Sequence, residues 1–173
     1  MKLLALVAAL LMAPAVVAAP PRAPELVTVA VGHDRAVGFV AGEGLVVTVA
    51  HVVGDEPITA DGRPATVARV DRGNDLALLR VPGVRGEAPR FGGSDATTVL
   101  GHPAPIIRRI RASVDGGPRR AALELRAEVT VGDSGAPVIG ADGRVAGVVF
   151  ARSRTRDDAA YAVDGGAVAA LLR

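Results

Sequence analysis

From Leu26 onward the chain is cut into short, valine-rich runs, and this punctuation is what most limits its fold. "LVTVAV" (26–31) ends at Gly32, "AVGFV" (36–40) at the turn "AGEG", "LVVTVA" (45–50) runs into His51, and "LALLRV" (76–81) ends at Pro82. Later runs, including "TTVLG", "APIIRRIRASV", "RRAALELRAEV", "GRVAGVVFA" and "AAYAV", follow the same rhythm. Runs of this length, rich in β-branched residues and spaced by turn signals, predict an all-β sandwich or a pair of barrels. No long helical period competes. The 21 glycines and 12 prolines supply the turns. "ITADGRPATVARV" reads as a hairpin turning at Asp61-Gly62, a pair that accepts positive φ. With Phe39, Phe91, Phe150 and Tyr161 as the aromatics, the core must be built from Val, Ala and Leu.

The strands fall into two sets. "PGVRGEAPRFGGSD" (82–95) has no period and reads as a linker, so 26–81 and 97–163 form separate groups. The closing "DGGAVAALLR" predicts a short helix capped by Asp164. At the other end, "MKLLALVAALLMAPAVVAA" has an early Lys, an apolar run and small residues at Ala18 and Ala19. That is the layout of a signal peptide over 1–19, followed by a Pro-rich leader over 20–25. It predicts a secreted or periplasmic protein with no stable membrane span after cleavage; an uncleaved N-terminal anchor is the alternative. There is no cysteine, so neither disulfides, a thiolate nucleophile nor cysteine-bound zinc is available. His33, His51 and His102 have no metal-binding spacing, and no metal or cofactor is expected. A formal charge of +2 gives no reason to expect nucleic acid. "RRIR" (108–111) and "RR" (119–120), flanking a "DGG" turn, read as a solvated sheet face.

Three stretches carry chemistry together. "VVTVAHVV" places His51 at the end of one apolar run, and "NDLALLRV" places Asp75 at the start of another. "VGDSGAPVI" holds Ser134 between glycines. Taken singly, each reads as a strand end or a turn. Together they supply what nucleophilic hydrolysis needs. A hydroxyl requires a base to take its proton, the base requires a carboxylate to orient it, and the oxyanion requires fixed donors.

In the order His, Asp, Ser, these blocks resemble the trypsin/chymotrypsin-like serine peptidases. "TVAH" is similar to that family's Thr-Ala-Ala-His, "NDLALLRV" to its Asp-Leu-Ala-Leu-Leu, and "GDSGAP" to its Gly-Asp-Ser-Gly-Gly-Pro. The lack of cysteine and the signal peptide resemble the exported bacterial branch, including the Deg/HtrA-type catalytic domain without a PDZ-like segment. The resemblance implies two six-stranded antiparallel β-barrels over 26–173 and a short C-terminal helix. The first barrel would span 26–81, a linker 82–96, and the second barrel with the helix 97–173.

It also implies catalytic roles for His51, Asp75 and Ser134, with the N–H groups of Gly132 and Ser134 forming the oxyanion hole. Phe150, Ala151 and Arg152 would pair with an extended substrate. Glu128 would lie at the base of the primary pocket and favour a basic side chain, with Thr130 and Ala160 lining that pocket. The implied function is peptide-bond hydrolysis through an acyl-enzyme on protein or peptide substrates. A weak or inactive peptide-binding relative and an esterase-like hydrolase are the alternatives; oligomeric state is left open. Two departures stand out. Ala136 replaces the family's second glycine after the serine. In much of the animal branch a new N-terminus pairs with the Asp before the serine. No Ile-Val-Gly-Gly start exists here, so Asp133 needs another partner.

Overall fold

The computed structural model describes residues 22–93, 95–113, 117 and 119–173. The signal-peptide reading, and Asp115 and Gly116 of the "DGG" turn, lie outside the described residues. Six strands form a closed barrel: β1 (Leu26–Val31), β2 (Asp34–Gly42), β3 (Leu45–Val49), β4 (Ile58–Ala60), β5 (Arg63–Asp71) and β6 (Leu76–Arg80). They close in the order β1-β2-β3-β6-β5-β4. The β4–β5 hairpin turns at Asp61 (φ 48°) and Gly62 (φ 74°), both left-handed as a two-residue hairpin turn demands. Val29, Phe39, Val40, Val46, Val47, Val49, Leu76 and Leu79 are buried in one apolar cluster that also takes in Val145, Val148, Val163 and Val168 of the second half.

The second half comprises β7 (Thr97–Val99), β8 (His102–Pro103), β9 (Ile106–Ala112), β10 (Arg120–Arg126), β11 (Pro137–Gly140), β12 (Val145–Arg152) and β13 (Ala159–Asp164). They run β8-β7-β11-β12-β13-β10-β9 as an antiparallel sheet. Its two edge strands belong to one stretch of chain. β8 and β9 are separated only by Ala104 and Pro105, and Pro105 has no N–H to continue the ladder. Ala104 N still donates to Thr97 O (2.8 Å), while Pro105 O accepts from Arg126 N (3.0 Å). The bent segment 102–112 thus serves both edges, giving a second barrel-like layer of six chain segments. Its core is smaller-sided, built on Leu123, Leu125, Val138, Val149, Ala160 and Ala162. The helix α1 (Gly165–Leu171) starts where Asp164 caps Gly166 N at 2.8 Å. It buries Val168 and Leu171, and Leu171 O accepts from Arg69 of β5 (2.7 Å), so α1 bridges the two halves.

Candidate active site

The β3–β6 ladder decides where His51 and Asp75 meet. Val49 lies opposite Leu76, so the antiparallel register carries His51 past the end of β3 just as Asp75 enters β6. The backbone continues the pairing, with Ala50 N on Asp75 O at 3.1 Å. Asp75 sits at φ 58°, a left-handed conformation that short polar side chains tolerate best. The turn before it is fixed by Asp71, whose carboxylate accepts from Asn74 N (3.0 Å) and Asn74 Nδ2 (2.7 Å).

Asp75 then holds His51 twice. Oδ1 accepts from the His51 backbone N–H at 2.8 Å, and Oδ2 lies 2.7 Å from Nδ1. A carboxylate only accepts, so the Nδ1 proton sits between them and the neutral ring keeps a lone pair on Nε2. Asp75 is largely buried, while the His51 side chain is 47% exposed and faces the cleft.

Ser134 comes from the loop joining β10 to β11, and both halves hold that loop. Val37 N of β2 donates to Ser134 O at 2.8 Å. On the other side Gly135 N donates to Val149 O (2.7 Å), and Val149 N to Ala136 O (2.9 Å). Gly135 has φ +91°, and a Cβ there would stand 1.9 Å from Val37 O and 2.8 Å from Thr48 Oγ1. Only glycine satisfies both the conformation and the approach. Thr48, fully buried, braces Val37 O through its hydroxyl at 2.8 Å. Ala136 is outside the positive-φ set, and its methyl is buried in the second core. The residue that departs from the family pattern therefore occupies a position where a side chain fits.

Residues 130–133 form a turn closed by Asp133 N on Thr130 O (3.2 Å). Gly132, third in the turn, has φ +104°. A positive φ at that position gives the type II arrangement, in which the central Val131–Gly132 peptide is turned over relative to type I. Among the described residues neither Gly132 N–H nor Ser134 N–H donates to another protein group. Asp133 is held by Thr130: Oδ2 accepts from Thr130 N (2.6 Å) and Thr130 Oγ1 (2.9 Å).

A cavity of about 270 Å³ joins these parts. His51 and Ser134 line it together with Asp34, Arg35, Val52, Val131 and Gly132. Its remaining wall is Val129, Thr130, Val149, Ala151 and Arg152. Of the residues expected near substrate, Thr130, Ala151 and Arg152 line this cavity. Glu128 lines a different one, of about 480 Å³, beside His102, Arg126 and Asp158. Phe150 is buried, and Ala160 lies in the second core. Among the described residues no cluster of His, Asp or Glu has the arrangement of a metal site.

One residue of this region escaped the sequence reading. Arg120, grouped there with a solvated face, is 7% exposed and lies 3.8 Å (Nη1) from Asp75 Oδ2. The run that follows it, "AALEL", was the available signal that β10 is largely buried, with only Ala121 and Arg126 of the strand exposed.

The trypsin-like peptidase domain family matches residues 36–148, well over half of the chain and all three blocks. The chain belongs to the trypsin-like peptidase domain family. Among curated relatives it is 34% identical over 138 residues to the mitochondrial serine protease HTRA2 of Drosophila willistoni, and 33% identical to that of Drosophila ananassae. These alignments cover 64% of this chain and 32% of each relative, so the chain spans about a third of their length. Among solved structures, the Rv3671c protease of M. tuberculosis in its active form superposes with a TM-score of 0.74 at 26% identity. That match covers 97% of this chain and 93% of the other. The same protease in its inactive form gives 0.72 at 30% identity, over 85% and 86% of the two chains. The HtrA-type protease AlgW, 19% identical, shares the fold (TM-score 0.71; 88% of this chain, 60% of that one).

Proposed function

We propose that the chain is an exported serine endopeptidase that cleaves peptide bonds through an acyl-enzyme on Ser134. The observation that carries this reading is the His51–Asp75 pair opening onto the same cavity as Ser134. His51 Nε2 takes the Ser134 proton during attack and returns it to the leaving amine. Asp75 fixes the tautomer and steadies the imidazolium. The free N–H groups of Gly132 and Ser134 receive the oxyanion.

Substrate binds as an added strand. Beyond Val149 the β11 side of β12 carries no described ladder, which leaves Phe150–Arg152 for an extended peptide. Val129, Val149 and Ala151 give this cavity an apolar stretch that suits a small apolar substrate side chain, although Asp34, Arg35 and Arg152 also line it, while Glu128 lines the neighbouring cavity. Residues 26–173 act as the peptidase unit, and residues 1–19 direct export. No helix among the described residues is long and apolar enough to cross a membrane.

The test is a peptide library incubated with the purified protein and with Ser134→Ala. Cleavage by the former alone, after Val, Ala or Leu, is the expected outcome. Cleavage of small esters but not peptides contradicts the endopeptidase assignment, and a preference for Arg or Lys contradicts the pocket.

A further inference from the structure

Arg120 opens β10 in the second half of the molecule, and its guanidinium is buried. An arginine does not shed its charge on burial, so such a group needs a partner of opposite charge or a polarisable surface. Its Nε and Nη1 make no hydrogen bond among the described residues. It has two neighbours instead. The Phe150 ring lies beneath it, with Cζ 5.0 Å from the ring centroid. Asp75 Oδ2, the oxygen that faces His51 Nδ1, is 3.8 Å from Nη1. Arg120 and Phe150 belong to the second half and Asp75 to the first barrel, so the attraction crosses the boundary between the half that carries Ser134 and the half that carries His51.

We propose that Arg120 is a positioning residue for the His51–Asp75 pair, an inference that rests on the triad reading above. At 3.8 Å the contact with Asp75 is electrostatic and not a hydrogen bond. Its pull on Oδ2 sets the rotation of the carboxylate, keeping Oδ1 on the His51 backbone N–H and Oδ2 on the ring. Phe150 holds the cation in place through its ring face. Arg120 does not line the cleft cavity, so it acts through Asp75 and not on substrate.

The experiment compares Arg120→Met and Arg120→Lys with wild type in the full chain. Arg120→Met is expected to lower kcat roughly ten- to a hundredfold with KM changed less than about threefold, the split expected when supporting contacts of an active site are removed. Arg120→Lys restores part of the rate by restoring the charge. In proton NMR, a far-downfield resonance absent from His51→Ala reports the Nδ1 proton between His51 and Asp75. It is expected to broaden or move in Arg120→Met and to return towards wild type in Arg120→Lys.

Wild-type kcat in Arg120→Met overturns the proposal. So does a fall in kcat with the downfield resonance unchanged. If Arg120→Met does not fold, Phe150→Leu keeps the cation and removes its support; the same two effects in weaker form are expected, and wild-type behaviour overturns the proposal. Failure of the triad reading looks different. Wild type itself then cleaves no peptide, while the resonance still reports whether Arg120 holds the pair.

Discussion

Thr130 grips Asp133 with two donors, its backbone N–H at 2.6 Å and its hydroxyl at 2.9 Å from the same carboxylate oxygen. The grip spans the turn whose Gly132 N–H has no acceptor among the described residues, so it bears on the shape of the proposed oxyanion hole. A residue three positions away thus anchors the carboxylate beside Ser134. Thr130→Val keeps the backbone donor and is expected to slow acylation of Ser134 about tenfold. Asp133→Ala removes both bonds and is expected to slow it about a hundredfold or more, in the range seen when an oxyanion donor is lost. The second-order rate constant for an active-site-directed fluorophosphonate measures both.

Gly135→Ala tests the docking of the Ser134 loop on β2. The methyl would meet Val37 O at 1.9 Å in a backbone already at φ +91°. The loop must withdraw, breaking the Val37 N–Ser134 O bond. The expected loss is about 2–4 kcal/mol of stability, or roughly 4–16 °C in Tm, together with loss of peptidase activity. Thermal denaturation and a peptide assay on the same sample check it.

Asp75→Asn changes little in the backbone, because Asn also tolerates the left-handed conformation at this position. It replaces an acceptor by an amide that can present N–H to Nδ1 and favour the wrong tautomer. Turnover is expected to fall about 10⁴-fold, as in the template triad, with an unchanged circular dichroism spectrum. Near-normal turnover would mean that Asp75 is not the orienting group.

Glu124 gives the fold a pH dependence separate from catalysis. It is buried on β10, bonded by Arg108 Nε (2.6 Å) and by Arg156. The Arg108 hydrogen bond holds its carboxyl below the ordinary value of 4.5; burial opposes this, and the Arg156 bond assists it. A depressed folded-state pKa adds stability above the unfolded value and loses it as pH falls through the folded value. Arg108 and Arg156 are both more than half exposed, which screens the gain. Glu124→Gln is expected to cost about 1.5 kcal/mol, or roughly 3–6 °C in Tm, at pH 7. The gap to wild type should close as pH drops below 4.5, which a series of melting curves would show.

Much of this was legible in the chain because strands and turns announce themselves locally. The run "LVTVAV" became β1 over the same residues, and the Asp61-Gly62 turn and the Asp164 cap appeared where their side chains required. The three blocks pointed to His51, Asp75 and Ser134, and the fold pairs His51 with Asp75 and places His51 and Ser134 on one cavity, because the type and order of chemistry-bearing residues survive in one dimension. What the sequence hid depends on packing between distant strands. Arg120 reads as one of a basic pair with Arg119, yet Arg119, just before β10, is exposed, while Arg120, its first residue, is buried 3.8 Å from Asp75. Glu128 and Thr130 stand two residues apart and line different cavities. Alternation along "LRAEVT" gave no way to tell which cavity faces Ser134.

The most direct test of the account is whether Ser134 becomes acylated. Purified protein is incubated with a fluorophosphonate, and intact mass followed by peptide mapping locates the adduct. One adduct per chain on Ser134, absent from Ser134→Ala and strongly slowed in His51→Ala, is the predicted result. A folded wild-type protein that takes no label while a known serine peptidase in the same tube does, or an adduct elsewhere than Ser134, would contradict it.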